Sequence, residues 1–253
     1  VLDPELTYSL PQPRISSRGS IVQESQYRMP DPMLSHDPML SFAIQKKVLN
    51  AIGGRIKHLG YKANLGRQIF YIKTVFGKQA LHIAFIPHQD DLDISADVAI
   101  RFDALEDVIQ EFGNLSASAK ANRMNRFSFG ANIGHLLGKG QIRWTVSSEN
   151  DIEKVGSQIA EEFVRVGLQY FERYSSLSLA LEVLLEIGEE AKLLNPIPSK
   201  MATNAVAISF LLGDIAKFRL ATERMMSFLS LIPNGGSDDL QDLIDELEKQ
   251  LDG

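Results

Sequence analysis

Residues 91–102, DLDISADVAIRF, decide the fold. Leu92, Ile94, Ala96, Val98, Ile100 and Phe102 occupy every second position, with Asp91, Asp93, Ser95, Asp97 and Arg101 between them. Successive side chains of an extended chain point to opposite faces, so this alternation predicts a strand with one buried and one wet face. A slip of one residue would expose six apolar side chains, which fixes the register.

The flanking sequence extends the sheet. Residues 68–76 and 79–86 are rich in aromatic and β-branched side chains, and Gly77-Lys78 between them reads as a two-residue hairpin turn with glycine first. Short strands are expected at 126–129 and, around Trp144, at 141–147. Asp103 and Glu106 have capping-box spacing for a helix carrying Leu105, Val108, Ile109 and Phe112, stopped by Gly113. Before the sheet, Ile44, Val48, Ile52 and Ile56 step by four, Leu49 and Leu59 widen the stripe, and Gly60 closes it.

After the sheet the period is helical. Asn150 opens a long helix with Ile152, Val155, Ile159, Phe163 and Val166 on one face. Helices are then expected over 177–194, over 199–212 ending at Gly213, from Asp214 to Leu231, and over 239–251 after Pro233-Asn234-Gly235-Gly236. The last places Leu240, Leu243, Ile244, Leu247 and Leu251 on one face, and packing against the 199–231 hairpin is expected, the alternative being an open stripe that pairs with a second copy or a partner. The fold class is therefore α+β: an antiparallel β-sheet domain with flanking helices over 39–173, followed by an all-helical C-terminal subdomain over 174–253. Residues 1–38 hold six of the ten prolines, six serines and no apolar period, and read as an extended or disordered leader. The repeat of Asp31-Pro32-Met33-Leu34 at 37–40 favours a native start near Met39, the leader being expression-derived or a mis-assigned start; a docking peptide is the alternative.

Composition narrows the chemistry. The 253 residues are 44% hydrophobic and 23% charged, with no cysteine, which excludes disulfides, cysteine nucleophiles and thiolate metal sites. No apolar run approaches the ~20 residues of a spanning helix, so no membrane partner and a cytoplasmic location are expected. Net charge is −6, and all of it lies in residues 238–253, which hold seven acids and one lysine. The balanced remainder lacks the basic field of a nucleic-acid binder, whereas a basic protein partner suits the acidic end; a solvated helix face accounts for the same charge.

No catalytic constellation is evident. His36, His58, His82, His88 and His135 share no helical spacing, no His-Glu-x-x-His occurs, and no serine sits in a Gly-x-Ser-x-Gly turn. Gly130, Gly134, Gly138 and Gly140 lack the Gly-Lys-Ser/Thr of a phosphate loop. Arg123, Arg126 and Arg143 with Phe127, Phe129 and Trp144 mix charges and rings as single-strand binders do, but the rings read as strand core. Asp91, Asp93 and Asp97, beside His88, are expected on one strand face, where carboxylates together attract hard cations. An acidic face offered to a partner is the preferred reading, with Asp91, Asp93, Asp97, Asp242, Asp245 and Glu246 as candidate contacts and no metal or cofactor.

Two stretches resemble a known family. LGYKANLGRQIFYIKTVFGKQALHIAFIPHQD (59–90) and GLQYFERYSSLSLALEVLLE (167–186) resemble the opening and the sheet-to-helix passage of the bacterial domain of unknown function 4304. AVAISFLLGDIAKFRLATERMM (205–226) is similar to a single tetratricopeptide-like hairpin with a Leu-Gly-Asp turn at Leu212, Gly213 and Asp214. The resemblance implies no catalytic residues and a context of bacterial immunity proteins that neutralise toxins. The expected function is thus a non-enzymatic protein-binding protein of that type. The alternatives are a metal-dependent hydrolase or nuclease-like enzyme using the aspartate-rich strand, and a helical scaffold subunit.

Overall fold

The structure, a computed structural model, describes residues 38–113, 120–121 and 126–251. The expected leader through residue 37, together with Arg123 and Asp252, lies outside them. Helix α1 (Pro38–Ile56) buries Ile44, Val48, Leu49, Ile52 and Ile56, the step-of-four stripe. It leads through a 3-10 turn to Gly60, whose φ of 87° ends it.

Strands β1 (Lys62–Asn64), β2 (Ile69–Thr74), β3 (Gly77–Pro87) and β4 (Leu92–Phe102) form an antiparallel meander. All six alternating apolar residues of β4 are buried, as the sequence predicts. The opposite face is only half wet, because Ser95 and Arg101 are buried as well. The β2–β3 turn differs from expectation. Thr74 pairs with Gly77, so the turn is Val75-Phe76, with Val75 exposed and Phe76 stacked on Phe102 at 4.7 Å. Gly77 stays in the ladder opposite Phe102 with φ of 148°, where a Cβ would collide with the Arg101 carbonyl. The glycine serves close strand approach, not the turn.

Helix α2 (Asp103–Phe112) follows β4 directly. The expected capping box does not form: the Asp103 carboxylate takes the Arg101 guanidinium at 2.6 Å, and Glu106 turns inward. Strands β5 (Phe129–Asn132) and β6 (Trp144–Val146), with the short helix α3 (Ile133–Leu136) between them, both pair with β4. β5 takes positions Asp97–Ile100 and β6 takes Leu92–Ile94. β5 starts three residues later than expected because 126–128 cover Arg101 instead. The Asn132 amide closes the gap between these short strands, donating to Ser95 Oγ at 3.0 Å, the Ala96 carbonyl at 3.3 Å and Asp97 Oδ1 at 2.8 Å.

Helix α4 (Asp151–Glu162) continues through a π turn (Phe163–Gly167) into α5 (Leu168–Tyr174). Ile152, Val155, Ile159 and Phe163 are buried as expected, and the wider turn rotates Val166 partly outward. α1 and α4 pack closely, with an Arg55–Glu153 pair (3.0 Å) across them and Lys47 of α1 paired with Glu149 (2.6 Å) in the turn before α4. The helix expected over 177–194 is two, α6 (Leu177–Glu186) and α7 (Glu189–Leu194). Ile187 adopts φ of 55°, a costly backbone for a branched residue. The bend lets α7 bury Ala191 and Leu194 and brings Glu190 to Tyr174 and Arg173.

Helices α8 (Pro198–Leu211), α9 (Ile215–Ser230) and α10 (Ser237–Leu251) complete the fold, with Asp214 accepting from the Lys217 N–H at 3.0 Å as cap. α10 packs on α8, α9 and α2 through Leu240, Leu243, Ile244 and Leu247, while Leu251 is left exposed. The buried residues form one continuous cluster from α1 through the sheet to α10. Among the described residues no helix is long and apolar enough to cross a membrane.

Candidate functional site

Residues paired directly across an antiparallel ladder share a face. On the half-wet face the register therefore builds five rows: Lys73–Lys78–Arg101, Tyr71–Ala80–Ala99–Gly130, Ile69–His82–Asp97–Asn132, Ala84–Ser95 and Ile86–Asp93–Thr145. The floor is made of small residues, one end is cationic and the rest carries aspartate and histidine. This face is the candidate site.

At the acidic corner, ligand atoms of His88, Asp91 and Asp93 all lie within 4.8 Å of one another. Asp93 is already engaged: Thr145 Oγ1 donates to Oδ1 at 2.7 Å, and Oδ2 lies 3.2 Å from His88 Nε2 and 4.0 Å from Arg143. The Thr145 hydrogen bond is the main reason its carboxyl sits below the usual range, with His88 and Arg143 adding to it. Asp91 belongs to the β3–β4 turn rather than the strand, where its carbonyl accepts from the His88 N–H at 2.9 Å. Asp97 stands apart from that corner, hydrogen-bonded to Asn132 and 3.9 Å from His82 Nδ1. The three aspartates thus divide into a pair with His88 and a single carboxylate further along the face. Asp242, Asp245 and Glu246 are exposed on the outer side of α10, with Gln241 and Lys249 bonded to Asp245 and Glu246 at 2.7 Å each.

At the other end, Lys73, Lys78 and Arg101 line a cleft of about 340 Å³ together with Arg67, Tyr71 and Asp103. The Lys78 ammonium lies 4.8 Å over the Phe127 ring. Burial holds its pKa below the usual lysine range, and the charges of Arg101 and Arg67 push it the same way.

No protein-family model, curated protein or solved structure matches this chain.

The sequence reading missed a buried charged seam behind the cationic end. Arg101 is 3% exposed and Glu106 2%, and Arg126 Nη2 meets Glu106 Oε2 at 3.0 Å. Ser128 Oγ accepts from the Phe102 N–H at 3.1 Å and donates to Glu106 Oε1 at 2.9 Å. The segment 126–128 is gripped from α8 as well: Lys200 Nζ donates to the Phe127 carbonyl at 2.6 Å and Asn204 Nδ2 to the Ser128 carbonyl at 2.7 Å. A cavity of about 420 Å³ beside the seam is lined by Glu106, Arg126, Lys200, Asn204 and Asp239. Desolvation lowers the pKa of Lys200 there, although part of its length is exposed. The available signal was an arginine two and five residues before acids, at the end of a strand.

Proposed function

We propose that the chain is a non-enzymatic bacterial protein that binds a basic protein partner in the cytoplasm, in the manner of an immunity protein neutralising a toxin. The observation that carries this reading is the division of labour on α10. Its apolar stripe is used internally, leaving Asp242, Asp245 and Glu246 turned outward. The half-open sheet face with Asp93 and Asp97, and Asp91 in the turn beside it, supports the same reading, since acidic surfaces steer and orient cationic partners. The family resemblance supplies the context of toxin neutralisation.

The His88, Asp91 and Asp93 cluster favours one competing reading, a metal-dependent hydrolase. A neighbouring arginine and an Asp93 carboxylate occupied at both oxygens weigh against it.

Capture from bacterial lysate by the immobilised chain tests the two. Comparison proteins are an Asp91→Asn/Asp93→Asn/Asp97→Asn triple and an Asp242→Lys/Asp245→Lys/Glu246→Lys triple. The expected result is a stoichiometric basic protein lost with at least one triple while circular dichroism stays native. Capture indifferent to both would overturn the reading, and Mn²⁺-dependent ester hydrolysis abolished by Asp93→Ala would replace it with the hydrolase.

A further inference from the structure

We propose that the groove between α1 and the free edge of β1 receives an extended acidic peptide of a protein partner, its backbone adding a strand to β1 and one apolar side chain entering the groove. β1 is the edge of the sheet, and among the described residues no strand pairs with its far side. It meets β2 over Lys62–Asn64, so its other edge presents backbone donors and acceptors to an incoming chain. The register puts Ala63 in the buried-face row Ala63–Phe70–Leu81–Val98, yet Ala63 is exposed. The core layer stops one position short. A groove of about 360 Å³ opens there, with Leu49, Tyr61, Leu65 and Phe70 among its walls.

Two glycines of α1 border it. Packing requires the first, since a Cβ at Gly53 would stand 3.0 Å from the Phe70 ring. Packing does not require the second: a Cβ at Gly54 meets nothing within 4 Å, although glycine inside a helix is destabilising relative to alanine. A bare position beside an open apolar groove is what an entering side chain needs. Charge then selects the occupant. Lys57 and Lys62 are the charged residues of the lining, both exposed and in no salt bridge among the described residues. Residues 38–89 hold eight lysines and arginines and no acid, so the elements around the groove supply no counter-ion of their own. Lys62 lies opposite Tyr71, on the other face of the sheet from Ala63. A strand added to β1 alternates in the same way: an apolar residue beside Ala63 enters the groove while its sequence neighbours stand beside Lys62. The fitting peptide therefore alternates acidic and apolar residues. This surface shares no residue with those assigned to the basic partner and has the opposite charge.

The test is fluorescence anisotropy of the full chain with a labelled nonapeptide alternating glutamate and leucine. An all-glutamate peptide and one alternating lysine and leucine are the comparisons. Saturable one-to-one binding of the glutamate–leucine peptide is expected, about tenfold or more tighter than either comparison and weakened by salt. Lys57→Glu/Lys62→Glu should weaken it about tenfold or more. Gly54→Gln should weaken it about fivefold or more while melting at or above the wild-type temperature, a split that a purely structural glycine would not give. Absence of saturable binding, equal affinity for the all-glutamate peptide, or binding unchanged in either variant would overturn the proposal. Self-association of the chain in sedimentation velocity, abolished by Lys57→Glu/Lys62→Glu, would overturn it in favour of a second copy. Phosphatidylserine vesicles bound through the same two lysines and not displaced by the peptide would overturn it in favour of a membrane surface.

Discussion

Arg126 Nη2 stands 3.0 Å from Glu106 Oε2, a carboxylate side chain 2% exposed, and the Ser128 hydroxyl donates to its other oxygen. This one carboxylate joins α2 to the segment entering β5 and lies 4.0 Å from the buried Arg101. Removing one partner of a buried pair leaves the other charge uncompensated, which costs more than the pair gains. Glu106→Ala is therefore expected to lose about 3–5 kcal/mol. Glu106→Gln, which keeps an acceptor for Ser128, should lose less. Urea denaturation of both variants checks this, and a loss under ~1 kcal/mol for Glu106→Ala would remove the seam from the stability argument.

Two glycines in helices give opposite signs. Gly156 of α4 faces α1 so closely that a Cβ would stand 2.7 Å from Ala51 Cβ. Gly156→Ala forces the helices apart and should cost about 1–3 kcal/mol. Gly54, on the exposed side of α1, has nothing within 4 Å of an added Cβ. Gly54→Ala should gain about 0.5–1 kcal/mol through helix propensity alone. Thermal melts of the two single variants, displaced to either side of wild type, are the expected readout.

Tyr174 and Glu190 make stability depend on pH at both extremes. Burial, with the adjacent Glu190 charge, pushes the Tyr174 phenol up to about 12, whereas an unfolded tyrosine ionises near ~10. The raised value favours the neutral phenol in the folded state. Its contribution is complete below pH ~10 and is lost as pH rises toward about 12. Burial raises Tyr61 and Tyr170 in the same direction. Glu190 is held below the usual range, chiefly by the Tyr174 hydroxyl and then by Arg173. Its contribution is present above an unfolded pKa of ~4.3 and lost as pH falls through the depressed value. Tyr174→Phe should flatten the alkaline limb and raise the Glu190 pKa, which a pH series of urea midpoints and carboxyl NMR shifts would follow.

The sheet was legible where one rule governed. Period two placed all six apolar residues of β4 on the buried face, because burial of one face outweighs every other local preference there. Turn chemistry misled at Gly77, since Phe76 packing on Phe102 and the approach of the Arg101 carbonyl set the register instead. Arg101 looked solvent-facing for the same local reason. Its cover comes from residues 126–128, held by Lys200 and Asn204 about 75 positions further along, and no pattern within β4 encodes that arrival. The three aspartates illustrate the limit at the site. Spacing places side chains on a face, but whether Asp97 joins Asp93 or Asn132 depends on which strand pairs alongside.

The C-terminal helix carries two leucines of identical chemistry with different fates. Leu247 is fully buried between α10 and the body, whereas Leu251, one turn later, is 38% exposed. Leu247→Ala opens a cavity against α8 and α9 and should cost about 2–5 kcal/mol, or roughly 2–4 °C of melting temperature per kcal/mol. Leu251→Ala should stay within about 0.5 kcal/mol of wild type. Ending the chain after Gly236 removes Leu240, Leu243, Ile244 and Leu247 together and bares the α8–α9 surface they cover, so dye binding to exposed apolar area should rise as the melting temperature falls. Reversing Asp242, Asp245 and Glu246 to lysine touches only the outer face. That variant should melt near the wild type, which separates the helix's internal role from the charge it presents outward. Equal melting temperatures for Leu247→Ala and Leu251→Ala would mean that α10 is not held by its stripe. In that case the acidic face would have lost the rigid support on which its role as a docking surface depends.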